Sequence, residues 1–142
     1  MEELAVYAIL CSAGYDFNKE YNKALDKLFL ENQKNNDYLE LEGMQQKDAI
    51  LHTLSIMNAY SLKHNLFGKY LMKELRSIYE QSKLNDFVRK ISALYKLLPE
   101  SIEREEPFCV LDYADDCLSY GDEEQCRKLY EGAMSYYEES VE

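Results

Sequence analysis

Residues 110–137 read VLDYADDCLSYGDEEQCRKLYEGAMSYY, and this stretch carries the pattern that decides the fold class. Val110, Leu111, Ala114, Cys117 and Leu118 recur at helical spacing, with Asp112, Asp116 and Ser119 opposite them. Gly121 supplies the backbone freedom that closes a helix. Asp122 follows as an N-cap, and Gln125 three residues later gives capping-box spacing, with Asp in the Ser or Thr position. Cys126, Leu129, Tyr130, Ala133 and Tyr137 then mark a second apolar stripe. The spacing predicts two helices folded into an antiparallel hairpin about Gly121-Asp122. Val110, Ala114, Cys117 and Leu118 are expected to pack on Cys126, Leu129, Tyr130 and Ala133.

Working outward, the same periodicity recurs upstream, separated by short polar breaks. A first helix is expected over Glu2–Ser12, ending at Ala13-Gly14. A second is expected from Asn18 to Gln33, then a short turn over Asp37–Leu41 that Gly43 ends. Gln46 to Lys63 reads as a third long helix. Asn65 and Asn85 read as N-caps of helices running to about Ser82 and Leu98. Pro99 stops the latter. The segment PESIEREEP, residues 99–107, is polar and bounded by prolines, and it reads as a connector. The expectation is an all-α, single-domain protein over 1–142, with six to seven helices in antiparallel pairs. It divides into a charge-neutral part (1–98), a polar connector (99–107) and an acidic hairpin (108–142).

Composition agrees with that class. The chain has 142 residues, 46% of them hydrophobic, with five Gly and two Pro. That length belongs to one domain and suffices for a buried core. The first 98 residues hold 13 acids and 13 bases, whereas residues 99–142 hold 14 acids and three bases, Arg104, Arg127 and Lys128. The whole net charge of −11 therefore falls in the last third. A field of one sign at one end speaks to partners, because like charges destabilise a compact state unless something opposes them. Phosphate contacts need Lys and Arg, so no nucleic-acid partner is expected. A basic protein surface is expected instead, with carboxylates standing in for phosphates and Tyr packing on Arg. The 13 tyrosines, with no Trp, suit such a surface, and the alternative for each is a ring packed in the core with its hydroxyl left wet.

Tyr60, Tyr95 and Tyr130 stand 35 residues apart, Leu94-Tyr95 matches Leu129-Tyr130, and Tyr79 and Tyr113 are 34 apart. Within residues 110–137, Ala114 precedes the Gly121-Asp122 turn, Cys126 stands four before Tyr130, and Ala133-Met134 follows. This stretch resembles a single tetratricopeptide repeat, whose period is 34 residues. The resemblance covers about 30 residues at the C-terminal end. It implies a helical-repeat, TPR-like stack with an extended partner surface; an irregular bundle buries the same stripes.

No constellation for catalysis is legible. His52 and His64 are the only histidines, and neither lies in an H-E-x-x-H pattern. There is no phosphate-binding glycine loop and no G-x-S-x-G. Asp112, Asp115 and Asp116 stand at i, i+3, i+4, yet the neighbouring helix offers mainly Glu123, Glu124 and Glu131, and an acidic solvated face is the expectation rather than a metal. Cys11, Cys109, Cys117 and Cys126 form no C-x-x-C pair. Acidic surroundings keep such thiols protonated. The N-terminus has acids where a signal peptide needs positive charge, and no apolar run approaches a membrane span. A cytoplasmic protein with reduced thiols is expected.

In bulk properties the chain resembles a small acidic immunity or inhibitor protein. That resemblance implies a non-catalytic antitoxin covering the basic surface of a nuclease-type toxin, with no cofactor and no metal. The alternative is a TPR-like adaptor or scaffold that docks a peptide segment of a partner. The expected partner-binding residues are Asp112, Asp115, Asp116, Tyr120, Asp122, Glu123, Glu124, Glu131, Glu138 and Glu139.

Overall fold

The computed structural model describes residues 1–138, and it is all-α, with no strand among the described residues. Chain contacts divide it into two compact units, Met1–Lys63 and His64–Glu142.

The first unit holds α1 (Glu2–Ser12), α2 (Asn18–Glu31), α3 (Asn36–Glu42) and α4 (Gln46–Ile56), then a 3-10 turn at Met57–Ala59. Leu4 and Ala8 of α1 pack with Tyr21, Ala24, Leu25, Tyr38, Leu41, Ala49 and Ile50. The end of α1 falls where Ala13-Gly14 predicts it. Gly14 takes φ +101°, its N–H donates to the Cys11 carbonyl, and the Tyr15 N–H donates to the Leu10 carbonyl. That pair of bonds is a Schellman closure. The Tyr21 hydroxyl is satisfied in the core by the Thr53 hydroxyl at 2.7 Å, and Thr53 donates to the Ala49 carbonyl. Burial pushes the Tyr21 phenol up to about 12.

Two boundaries differ from expectation here. The Asp37–Leu41 turn closes as the helix α3, because Asn35 Oδ1 accepts from the Asp37 and Tyr38 N–H groups. The helix expected to reach Lys63 ends at Ile56, and Tyr60 is extended. There the Tyr60 hydroxyl donates to Asp37 at 2.7 Å and accepts from Asn35, while the Lys63 N–H donates to Glu2. Tertiary partners outbid further helix.

The second unit holds α5 (His64–Glu80), α6 (Leu84–Tyr95), α7 (Val110–Tyr113), α8 (Asp116–Ser119) and α9 (Glu123–Ser135). Asn65 and Asn85 fall inside the first turns of α5 and α6 rather than at their caps, and Lys83 precedes α6 without a side-chain cap bond. Phe67, Leu71, Leu75, Phe87, Ile91, Leu94, Phe108, Leu111 and Tyr130 are buried. Edge-on ring pairs run through this core, Tyr79 on Phe87 at 5.1 Å and Phe87 on Tyr130 at 5.2 Å. Residues 99–107 are not where the chain divides. Pro99, Ile102 and Pro107 are buried, and the Tyr95 hydroxyl donates to the Glu103 carbonyl at 2.8 Å. Apolar residues within this polar stretch anchor it to the unit.

The stretch expected as one helix up to Tyr120 forms two single turns, α7 and α8. Ala114 and Asp115 keep right-handed helical angles between them, so the side-chain register continues through the break. This division and the closure of α3 raise the helix number above the six or seven expected.

Candidate protein-binding face

Leu111 and Ala114 are fully buried, and this sets the outward side of α7–α8. Asp112, Tyr113, Asp116, Ser119 and Tyr120 are exposed at i, i+1, i+4, i+7 and i+8, one face of a continuous helical register. Tyr120 is 88% exposed and Tyr113 is 44% exposed, so two phenol rings lie in solvent among the carboxylates. Gly121 ends α8 with φ +82°; its N–H donates to the Leu118 carbonyl and the Asp122 N–H to the Cys117 carbonyl. Asp122 then caps α9, accepting from the Gln125 N–H at 3.0 Å. The turn and the cap are those the sequence predicts. α9 returns against both α7 and α8, with Cys126, Tyr130, Ala133 and Met134 buried.

The ten expected residues separate into groups. Asp112, Asp116 and Tyr120 share the α7–α8 face. Asp122 sits at the turn with its carboxylate spent on the cap. Asp115 is half-buried and lies towards Cys126 and Tyr130. Burial raises the Cys126 thiol, and Cys117 and Asp115 raise it further. Burial likewise raises the Tyr130 phenol far above its ordinary range, with smaller contributions from Cys126 and Asp115.

The acids of α9 are paired locally. Glu123 meets Arg127 at 3.0 Å and Glu124 meets Lys128 at 3.4 Å, both one turn apart. Glu131 accepts from the Tyr79 hydroxyl at 2.7 Å, and Arg127 donates to the same hydroxyl at 3.2 Å. Glu138 meets Arg76 at 2.9 Å. These four carboxylates are exposed, but each has a cation or a donor beside it. Glu139 lies outside the described residues. The face that keeps its charge uncompensated is therefore α7–α8: among the described residues Asp112 and Asp116 have no ion pair. Tyr113 belongs to that face and is not among the ten expected partner-binding residues, although its position one turn before Cys117 and one residue after Asp112 carries the signal.

Tyr60, Tyr95 and Tyr130 stand at a regular interval but in three settings. The first two donate to Asp37 and to the Glu103 carbonyl, and the Tyr130 hydroxyl is buried with no hydrogen-bond partner among the described residues. No three His, Cys, Asp or Glu among the described residues are placed to hold a metal, and none of their helices is long and apolar enough to cross a membrane. Comparison with protein-family models, with curated proteins and with solved structures finds no match.

Proposed function

We propose that this chain is a non-catalytic protein-binding protein whose α7–α8 face meets a basic surface. The form that best suits it is an acidic immunity or inhibitor protein that covers the nucleic-acid-binding surface of a nuclease-type toxin. The observation that carries this reading is the exposed pair of tyrosines, Tyr113 and Tyr120, on one helical face with Asp112 and Asp116, two carboxylates that have no ion pair among the described residues. Exposed Tyr gives contact area at low entropic cost, and its ring accepts a guanidinium face. Carboxylates uncompensated by Lys or Arg speed encounter with a basic partner.

The test is affinity capture from the native host with two baits, the full chain and its Asp112→Lys/Asp116→Lys variant. The expected result is a basic protein held by the first, released by moderate salt, absent from the second, and inhibited in nuclease activity by the purified chain. A partner retained equally by both baits, or a captured protein without a basic surface, contradicts the proposal.

A further inference from the structure

A trough runs between α5 and α9, two helices that pack together within the second unit. At one end a hollow of about 280 Å³ is lined by Lys69, Met72, Lys73, Arg76, Met134, Tyr137 and Glu138. It adjoins a second hollow of about 310 Å³ that shares Arg76 and Met134 and is walled by Tyr79, Glu80 and Glu131. Shared lining residues place the two side by side along this trough, with Arg76 reaching across it to Ser135 and Glu138. From Lys69 to Tyr79 the trough follows α5 for about 15 Å at 1.5 Å per residue, which accommodates about four or five residues of extended chain.

The first hollow carries a local excess of cations, opposite in sign to the chain as a whole. Lys69 and Lys73 stand one turn apart, are exposed, and have no ion pair among the described residues. Arg76 continues the row and is held in place by the Ser135 hydroxyl and Glu138. The floor between them is thioether, from Met72 and Met134, an adaptable surface for an apolar side chain. The far end is acidic, from Glu80 and Glu131.

We propose that this trough docks a peptide segment of a partner protein, acidic where it meets Lys69 and Lys73 and apolar where it crosses Met134. Two carboxylates pair with the lysines, and an apolar side chain rests on the methionine floor. The acids at the opposite end set the direction of the peptide by favouring a basic residue there. This surface uses none of the α7–α8 residues, so it stands or falls apart from the reading above.

The test is a random dodecapeptide display library panned on the immobilised full chain, with enriched peptides synthesised and titrated against the chain and its Lys69→Glu/Lys73→Glu variant. Both lysines are exposed, so far-ultraviolet circular dichroism should be the same for the two proteins. The expected consensus places two acids beside an apolar residue, with micromolar binding that weakens at least tenfold in the variant. Amide shifts of the labelled chain should fall on α5 and α9. No enriched peptide, a basic consensus, or binding that the variant keeps within twofold would overturn the proposal. So would self-association in sedimentation that the same reversal abolishes, since it assigns the trough to a second copy.

Discussion

Gly68 is the position at which a single methyl group has the clearest consequence. It is buried in the second turn of α5, and a Cβ built there lies closer than 3.0 Å to Cε2, Cζ and the hydroxyl oxygen of Tyr137. Tyr137 is itself 6% exposed and packs on Phe108 and Tyr136. In an open helix Gly→Ala gains about 1 kcal/mol. Here the ring must move, and overpacking of this kind costs about 1–3 kcal/mol, while losing a buried aromatic altogether costs about 3–5. Gly68→Ala should therefore destabilise the second unit by up to about 2 kcal/mol net. The decisive control is the same change in a Tyr137→Ala background. With the ring gone, the helix term alone remains, and Gly68→Ala should stabilise by about 0.5–1 kcal/mol. The assay is urea unfolding followed by circular dichroism for wild type, both single variants and the double. A Gly68→Ala variant more stable than wild type, or a cycle with no coupling, would refute the close packing of Tyr137 on α5.

Tyr130→Phe removes a buried hydroxyl that has no partner among the described residues, so it should be neutral or stabilising by about 1 kcal/mol, whereas Tyr130→Ala should cost about 3–5; urea midpoints of the two variants distinguish them. Gly121→Ala places a side chain at φ +82° and should cost about 1 kcal/mol, visible as a lowered Tm, with Gly121→Asn costing less. Glu42 is exposed at the surface, yet partial desolvation and the adjoining Asp26 carboxyl push it up to about 7. The unfolded chain releases this proton near pH 4.5 and the folded chain holds it to about 7, so stability falls as pH rises across that window and is flat above it. Glu42→Gln should accordingly raise the urea midpoint at pH 8 and leave it unchanged at pH 4.

The elements most legible in the sequence are those whose ends are set locally. α1 stops at Ala13-Gly14 because glycine accepts the left-handed angle, and α9 starts at Glu123 because Asp122 caps it. The buried stripe of Cys126, Tyr130 and Ala133 follows from 3.6-residue spacing alone. The misread boundaries are tertiary in origin. Tyr60 leaves the helix for Asp37, 23 positions back in the chain, and no local signal announces that bond. Polar residues hide Ile102 in the 99–107 stretch, although it is buried together with Pro99 and Pro107. The same holds for the candidate face. The density of acids along 112–138 suggests one continuous charged surface. In the structure Arg76 and Tyr79 engage Glu138 and Glu131, 62 and 52 positions away, whereas Asp112 and Asp116 have no ion pair among the described residues. The cationic row Lys69, Lys73, Arg76 was legible as i, i+4, i+7 spacing but was hidden by the overall neutrality of residues 1–98.

The role proposed for the α7–α8 face is to steer a basic partner. Its most direct measurement is the association rate of the captured partner with wild type and with Asp112→Lys/Asp116→Lys, taken from low to moderate ionic strength. Surface changes of this kind move stability by less than about 0.5 kcal/mol, so the fold serves as its own control. The expected on-rate for wild type falls steeply with salt, and that of the variant is at least tenfold slower at low salt with a flattened salt dependence. Equal on-rates and equal salt dependence for the two proteins would contradict that role.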